Sequence, residues 1–231
     1  NYPRGAPMSF AALLFDCDGV LVDSEPISLE ILRKMLADLG WALSYNECKQ
    51  FFIGKSSREE IALIEKQLGR KLDHEWQQAF ILRRNQALRQ HLVATPGIQT
   101  CLNTVRALWP HRLACVSAAE KSKIILQLDK VGLTHFFDGH IYSGTEVPYN
   151  KPYPDVYLAA AQALGVNPQD CAVIEDSVTG ITAGVASGAQ VYAYNPENED
   201  PTPLFEPGAH HIFPDMQQLP DILQYATSNN P

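Results

Sequence analysis

The stretch Phe10-Ala11-Ala12-Leu13-Leu14-Phe15-Asp16-Cys17-Asp18-Gly19 is a continuous apolar run that stops on acidic residues. A run of this kind fits a strand buried on both faces, as in a parallel sheet, rather than an alternating, half-exposed strand. Working outward, similar short runs recur at 113–116, 140–142, 171–174 and Gln190–Tyr194. Helical patterns separate most of them, at Lys121–Val131, Asp155–Leu164 and 179–187. Strand and helix in alternation imply right-handed crossovers and a mostly parallel sheet with helices on both faces. The expected fold is therefore α/β, a Rossmann-like parallel sheet core flanked by helices, with an inserted α-helical domain.

That insertion covers roughly residues 24–93 and has no strand-like run. Ile27, Ile31, Leu32, Met35, Leu36 and Leu39 make one helical stripe closed by Gly40. Ser44 with Glu47, and Ser56 with Glu59, have capping-box spacing. A long helix is expected over 73–91, with Trp76, Phe80, Ala87 and Leu88 on one side. The expected division is a core of 8–22 with 94–225, a helical unit of 23–93, and a lead-in of 1–7 that reads as an expression remnant. Both connections of the helical unit fall near the end of the first strand, where an inserted unit is well placed to act as a lid.

With 45% hydrophobic and 19% charged residues, the 231-residue chain has the composition of a globular protein. Its 26 acidic against 18 basic residues give a net charge of −8, which argues against nucleic-acid binding. Small anions remain open, because a metal or a few local cations inverts the field in one pocket. Cys17, Cys48, Cys101, Cys115 and Cys171 form no CxxC pair, and such a scattered set reads as reduced thiols in a cytoplasmic protein. No apolar stretch reaches membrane-spanning length, so no membrane partner is expected.

Ligands of open parallel sheets bind beyond the carboxyl ends of the strands. The first strand delivers Asp16, Cys17, Asp18 and Gly19 there, and the second Ser117. Lys151 follows the third, and the fourth delivers Glu175 and Asp176. Clustered carboxylates repel unless a cation sits among them, and oxygen ligands around one hard divalent ion are the Mg²⁺ arrangement. A carboxylate can also attack phosphorus covalently, and a second acid two residues on can move the proton. An ammonium and a hydroxyl can stabilise transferring phosphoryl oxygens.

At this point the residues resemble a known family. The stretch Phe15-Asp16-Cys17-Asp18-Gly19-Val20-Leu21-Val22-Asp23-Ser24 is similar to the first motif of the haloacid dehalogenase superfamily. Val116-Ser117-Ala118 resembles its second motif, Lys151-Pro152-Tyr153-Pro154-Asp155 its third, and Ile174-Glu175-Asp176-Ser177-Val178-Thr179-Gly180-Ile181 its fourth. The four stand in the family's order, and the resemblance spans about 11–194, including a helical cap after the first motif. It implies Asp16 as nucleophile and metal ligand, and Asp18 as acid/base with its backbone carbonyl on the metal. It also implies phosphate held by Ser117, Lys151 and the amides of Cys17 and Ala118. Mg²⁺ would sit on Asp176, with Glu175 beside it. The second acid, Asp18, points away from the dehalogenase branch, which lacks it and uses no metal.

Simpler readings stand beside several of these. Glu175 also reads as a helix-start carboxylate next to Asp176. Asp23, Ser24 and Glu25 fit either a turn at the cap hinge or substrate contact, and for Asp23 the turn is preferred. Gly54-Lys55-Ser56-Ser57-Arg58 resembles the family's substrate-specificity loop, with Lys55 the first cap residue to consider for substrate and Arg84 a weaker one, since helical arginines are usually solvated. His210-His211 lacks a third ligand and reads as a turn before the strand-like Ile212-Phe213. The alternating parity of a strand turns Cys17 away from the two aspartates, into packing.

The function expected is a phosphatase for a small phosphorylated metabolite, a sugar or sugar-acid phosphate. The rival is a phosphomutase of the β-phosphoglucomutase type. That branch commonly carries a histidine just after the first motif, where this chain has none between Asp23 and Leu29. A non-catalytic binding protein on the same scaffold is the third reading, and the presence of both Asp16 and Asp18 weighs against it.

Overall fold

A computed structural model describes residues 10–53 and 55–226. The lead-in 1–7 and Gly54 of the specificity-loop stretch lie outside the described residues. The chain divides into two compact units, Asp23–Val93 and the remainder.

In chain order the elements are β1 (Ala12–Phe15), α1 (Glu25–Asp38), α2 (Tyr45–Phe52), α3 (Ser57–Leu68), α4 (His74–His91), α5 (Ile98–Leu108), β2 (Leu113–Ser117), α6 (Lys121–Val131), β3 (Ile141–Ser143) and α7 (Asp155–Leu164). There follow β4 (Cys171–Glu175), α8 (Val178–Ala186), β5 (Gln190–Tyr194), α9 (Thr202–Phe205), β6 (His211–Phe213) and α10 (Leu219–Tyr225). The six strands form one parallel sheet in the order β3-β2-β1-β4-β5-β6. Leu13 pairs with Leu113 on one side and Ala172 on the other, so β1 is central. The direction of strand addition reverses between β1 and β4. The crevice beyond such a switch point is where open α/β sheets bind ligands.

Both sheet faces are covered, which is why the strands read as unbroken apolar runs. Ala12, Leu14, Ala114, Val116, Val173 and Val191 pack with Val156, Ala160 and Ala161 of α7 and Ile181 and Ala183 of α8. Phe15 points to the other face and meets Phe137 edge-on, with ring centroids 6.4 Å apart. Full burial of each large apolar side chain contributes about 1.5–3 kcal/mol.

The strands differ from the sequence reading at their ends. The apolar run starts at Phe10 but the ladder starts at Ala12. Ladder pairing carries β2 on to Ser117, opposite Ser143, and β4 on to Glu175, opposite Ala193. Hydrogen bonding thus overrides hydropathy at the polar residues of the site edge. His211 opens β6 instead of lying in a turn, and the preceding His210 amide donates to Val191 O at 2.8 Å. The helix expected over 179–187 is α8, one residue earlier, because the Ser177 side chain caps it by accepting from the Gly180 amide.

The smaller unit is all helical. Both capping boxes form, Ser44 with Glu47 and Ser56 with Glu59. Asp73 lies just outside α4 as its cap, accepting from the Trp76 amide at 2.7 Å. The buried stripe of α1 is Leu29, Leu32, Met35 and Leu36, and it packs with Leu43, Cys48, Phe52, Ile64 and Leu72. Ile27, Ile31 and Leu39 are only half-buried. All five cysteines are buried and free. Among the described residues no helix is long and apolar enough to cross a membrane.

Candidate active site

β1 ends at the switch point, and its ladder extends one residue further through the Asp16 amide, which donates to Ile174 O at 3.0 Å. The chain then turns tightly. The amides of Val20, Leu21 and Val22 converge on Cys17 O at 3.2, 2.9 and 3.2 Å. Gly19 makes the turn possible: its φ is +82°, and a Cβ there would stand 2.0 Å from Asp176 Oδ2. Only a residue without a side chain lets Asp176, from the end of β4, come this close to the first turn. The Cys17 side chain is fully buried, where it accepts from Gln127 Nε2 at 3.7 Å.

Lys151 ties the strand ends together. Its Nζ donates to Asp16 Oδ1 at 3.1 Å, Glu175 Oε1 at 2.7 Å and Val116 O at 3.0 Å. Tyr157, on α7, donates its hydroxyl to the same Glu175 oxygen. Glu175 is fully buried, and a Cβ on Gly180 would stand 2.0 Å from its Oε2. Burial alone would depress the lysine, but the carboxylates of Asp16 and Glu175 outweigh it and hold the ammonium above its ordinary value. Burial and Glu175 push the Tyr157 phenol up, which keeps it a donor.

Ser117 ends β2 and Ala118 follows it. Ser117 Oγ accepts from the Ala119 amide at 3.1 Å, and Asn150 Nδ2 donates to Ala118 O at 2.9 Å. Asn150 Oδ1 also accepts from the Lys151 amide at 2.8 Å, so one side chain joins the second and third segments. From α6, Lys123 donates to Asp18 Oδ1 at 3.0 Å.

Oxygens of Asp16, Glu175 and Asp176 lie within 4.8 Å of one another. Burial first, then the charge of Glu175, push the Asp16 carboxyl well above the usual carboxylate range, with Lys151 pulling the other way. When all are ionised, the four carboxylates of Asp16, Asp18, Glu175 and Asp176 face the two ammonium groups of Lys123 and Lys151. The all-oxygen donor set suits a hard ion, so the residues present fit Mg²⁺.

A family model described as haloacid dehalogenase-like hydrolase matches residues 10–188. The chain belongs to the haloacid dehalogenase-like hydrolases. Curated relatives include the 6-phosphogluconate phosphatase of Escherichia coli, 28% identical over 91% of this chain and 93% of its own length. The fructose-1-phosphate phosphatase of the same organism is 30% identical over 78% of this chain and 93% of its own. A haloacid dehalogenase family hydrolase from Deinococcus radiodurans, solved with bound phosphate and sodium, superposes with a TM-score of 0.79 at 32% identity, covering 95% of this chain and 97% of that one.

Within this hydrolase fold, Asp16, Asp18, Ser117, Ala118, Lys151, Glu175 and Asp176 all stand at one sheet edge. The residues considered for substrate contact belong to the helical unit. Glu25 is the first residue of α1 and pairs with Lys49 at 3.6 Å. Lys55 is exposed between α2 and α3, its amide donating to Phe52 O at 3.2 Å. Arg84 departs from the expectation of a solvated helical arginine. It is only 8% exposed, donates twice to Asn85 Oδ1 and lies 5.8 Å from the centroid of the Phe80 ring. Of the two sides left open at the cap hinge, the Asp23 amide bonds to Val93 O at 3.1 Å and Ser24 is buried.

Three site residues escaped the sequence reading: Lys123, Asn150 and Tyr157. Tyr157 carried a usable signal, because a tyrosine on a helix face otherwise made of Val156, Ala160, Ala161 and Leu164 needs a partner for its hydroxyl.

Proposed function

We propose that the chain is a Mg²⁺-dependent phosphatase for a small phosphorylated metabolite, a sugar or sugar-acid phosphate, working through an aspartyl-phosphate. The observation that carries this reading is the Lys151-bridged cluster of Asp16 and Glu175 beside Asp176 at the switch point. It combines a carboxylate nucleophile, a fixed cation and a close set of carboxylate oxygens suited to a hard ion. The phosphate found with the Deinococcus hydrolase and the substrates in the relatives' names support the same chemistry.

In this reading Asp16 attacks phosphorus through one carboxylate oxygen. Lys151 and the amides beyond β2, with Ser117, hold the phosphoryl oxygens as charge shifts onto them. Asp18 gives its proton to the departing alkoxide and later takes one from the attacking water, assistance typically worth about 10²–10⁴-fold. Asp16, Asp176 and the Asp18 carbonyl would hold Mg²⁺, which supplies charge neutralisation and Lewis acidity. Glu175, already shared by Lys151 and Tyr157, positions the lysine more than it offers a ligand. The helical unit acts as the cap, contributing Lys55, Arg84 or Glu25 to substrate choice.

A screen of sugar phosphates, sugar-acid phosphates, phosphoglycolate and nucleotides with Mg²⁺ tests the proposal. Release of inorganic phosphate without a bisphosphate activator is expected. Isomer formation that appears only with the activator would overturn it in favour of a mutase.

A further inference from the structure

Lys123 occupies a position that surface lysines do not need. It is the third residue of α6, whose first turn has no acidic residue, so its ammonium lies at the positive end of the helix dipole, where a cation is disfavoured. Its side chain is only 12% exposed, with Nζ 3.0 Å from Asp18 Oδ1. Lys121, in the same turn, shows the ordinary alternative: it is 44% exposed and reaches Glu146 only at 3.8 Å. A largely buried lysine persists where a carboxylate compensates its lost hydration. Here that carboxylate is the one two residues after Asp16.

We infer that Lys123 is a positioning residue for the general acid. The inference rests on the reading of Asp18 as acid/base. By gripping Oδ1, the ammonium fixes the rotation of the Asp18 carboxyl group and so fixes where its other oxygen stands. During phosphoryl transfer the bond from Asp16 to phosphorus forms and the bond from phosphorus to the alkoxide oxygen breaks. The Asp18 proton goes to that oxygen. A carboxyl group free to rotate would deliver it less often, because proton transfer requires hydrogen-bond reach and alignment.

Leaving-group dependence isolates this role, since an alkoxide needs the proton and a p-nitrophenolate does not. The experiment measures kcat/KM, which reports the first transfer, for wild type, Lys123→Met, Lys123→Arg and Asp18→Asn. The substrates are the fastest sugar phosphate of the screen and p-nitrophenyl phosphate, with inhibition by inorganic phosphate and the thermal midpoint recorded alongside. Lys123→Met should lose about 10- to 100-fold on the sugar phosphate and no more than about threefold on the aryl ester, following the Asp18→Asn pattern. Lys123→Arg should restore most of the loss, with phosphate inhibition unchanged throughout. Equal losses on both substrates with weakened phosphate inhibition would make Lys123 a phosphate ligand and overturn the inference. A lowered midpoint with an unchanged substrate ratio would make it a structural pair, with the same result. If Asp18→Asn itself shows no preference between the substrates, the reading of Asp18 fails, independently of Lys123.

Discussion

Lys151 stands 2.7 Å from Glu175 Oε1, with both side chains almost wholly out of water. The pair leaves a second face of the same ammonium for Asp16, 3.1 Å away. One cation therefore organises two carboxylates from different strands, which makes its removal a structural as well as a chemical loss.

Lys151→Met should lower activity by at least about 100-fold, as loss of a fixed transition-state cation does. It should also destabilise the fold by about 3–5 kcal/mol, because two buried carboxylates lose their partner. Adding Glu175→Gln to it should recover part of the thermal midpoint and none of the activity. Denaturation with parallel phosphate-release assays checks both; a double variant no more stable than the single one would contradict the pairing.

Gly19→Ala probes the approach of Asp176 to the first turn. An added Cβ must displace a carboxylate that would otherwise lie 2.0 Å from it, at a φ of +82°. Half-saturation by Mg²⁺ should rise about 10-fold or more, with partial recovery of rate at high Mg²⁺. A Mg²⁺ titration of steady-state rate reads this directly, and unchanged half-saturation would show that Asp176 has no part in holding the ion.

The caps of the helical unit give a pH dependence with a definite sign. Backbone and side-chain hydrogen bonds from Ser44 lower the Glu47 carboxyl, and those from Ser56 lower Glu59. A depressed folded value contributes stability that is fully present above the ordinary glutamate value of 4.5 and is lost as pH falls through the folded value. Helical circular dichroism on denaturant titration should therefore separate Glu47→Gln/Glu59→Gln from wild type at neutral pH, with the curves merging well below pH 4.5. A gap that persists in acid would mean that the carboxylate charge is not what caps these helices.

How far the site was legible from the sequence follows from how each residue reaches it. Asp16, Ser117, Glu175 and Asp176 stand at or just beyond the ends of apolar runs, and a parallel sheet brings such ends to one edge. Lys151 was legible through its motif. Lys123 and Asn150 were not, because their side chains reach the site through partners more than thirty residues away, Asp18 and Ala118. In sequence Lys123 is one of two lysines at a helix start, indistinguishable from the more exposed Lys121. Arg84 failed in the opposite direction: an expectation based on helical arginines in general missed the packing against Phe80. Strand ends shifted by a residue or two where ladder bonds, not hydropathy, set the limit.

In the proposed reaction the Asp16 carboxylate takes the phosphoryl group. Acid-quenching the enzyme during turnover of its best substrate, followed by mass spectrometry of its peptides, tests this most directly. The account predicts a phosphoryl adduct on the peptide carrying Asp16, absent from Asp16→Asn, which should retain less than about a hundredth of wild-type turnover. An Asp16→Asn variant that keeps near-wild-type turnover, or an adduct on any other side chain, would contradict it.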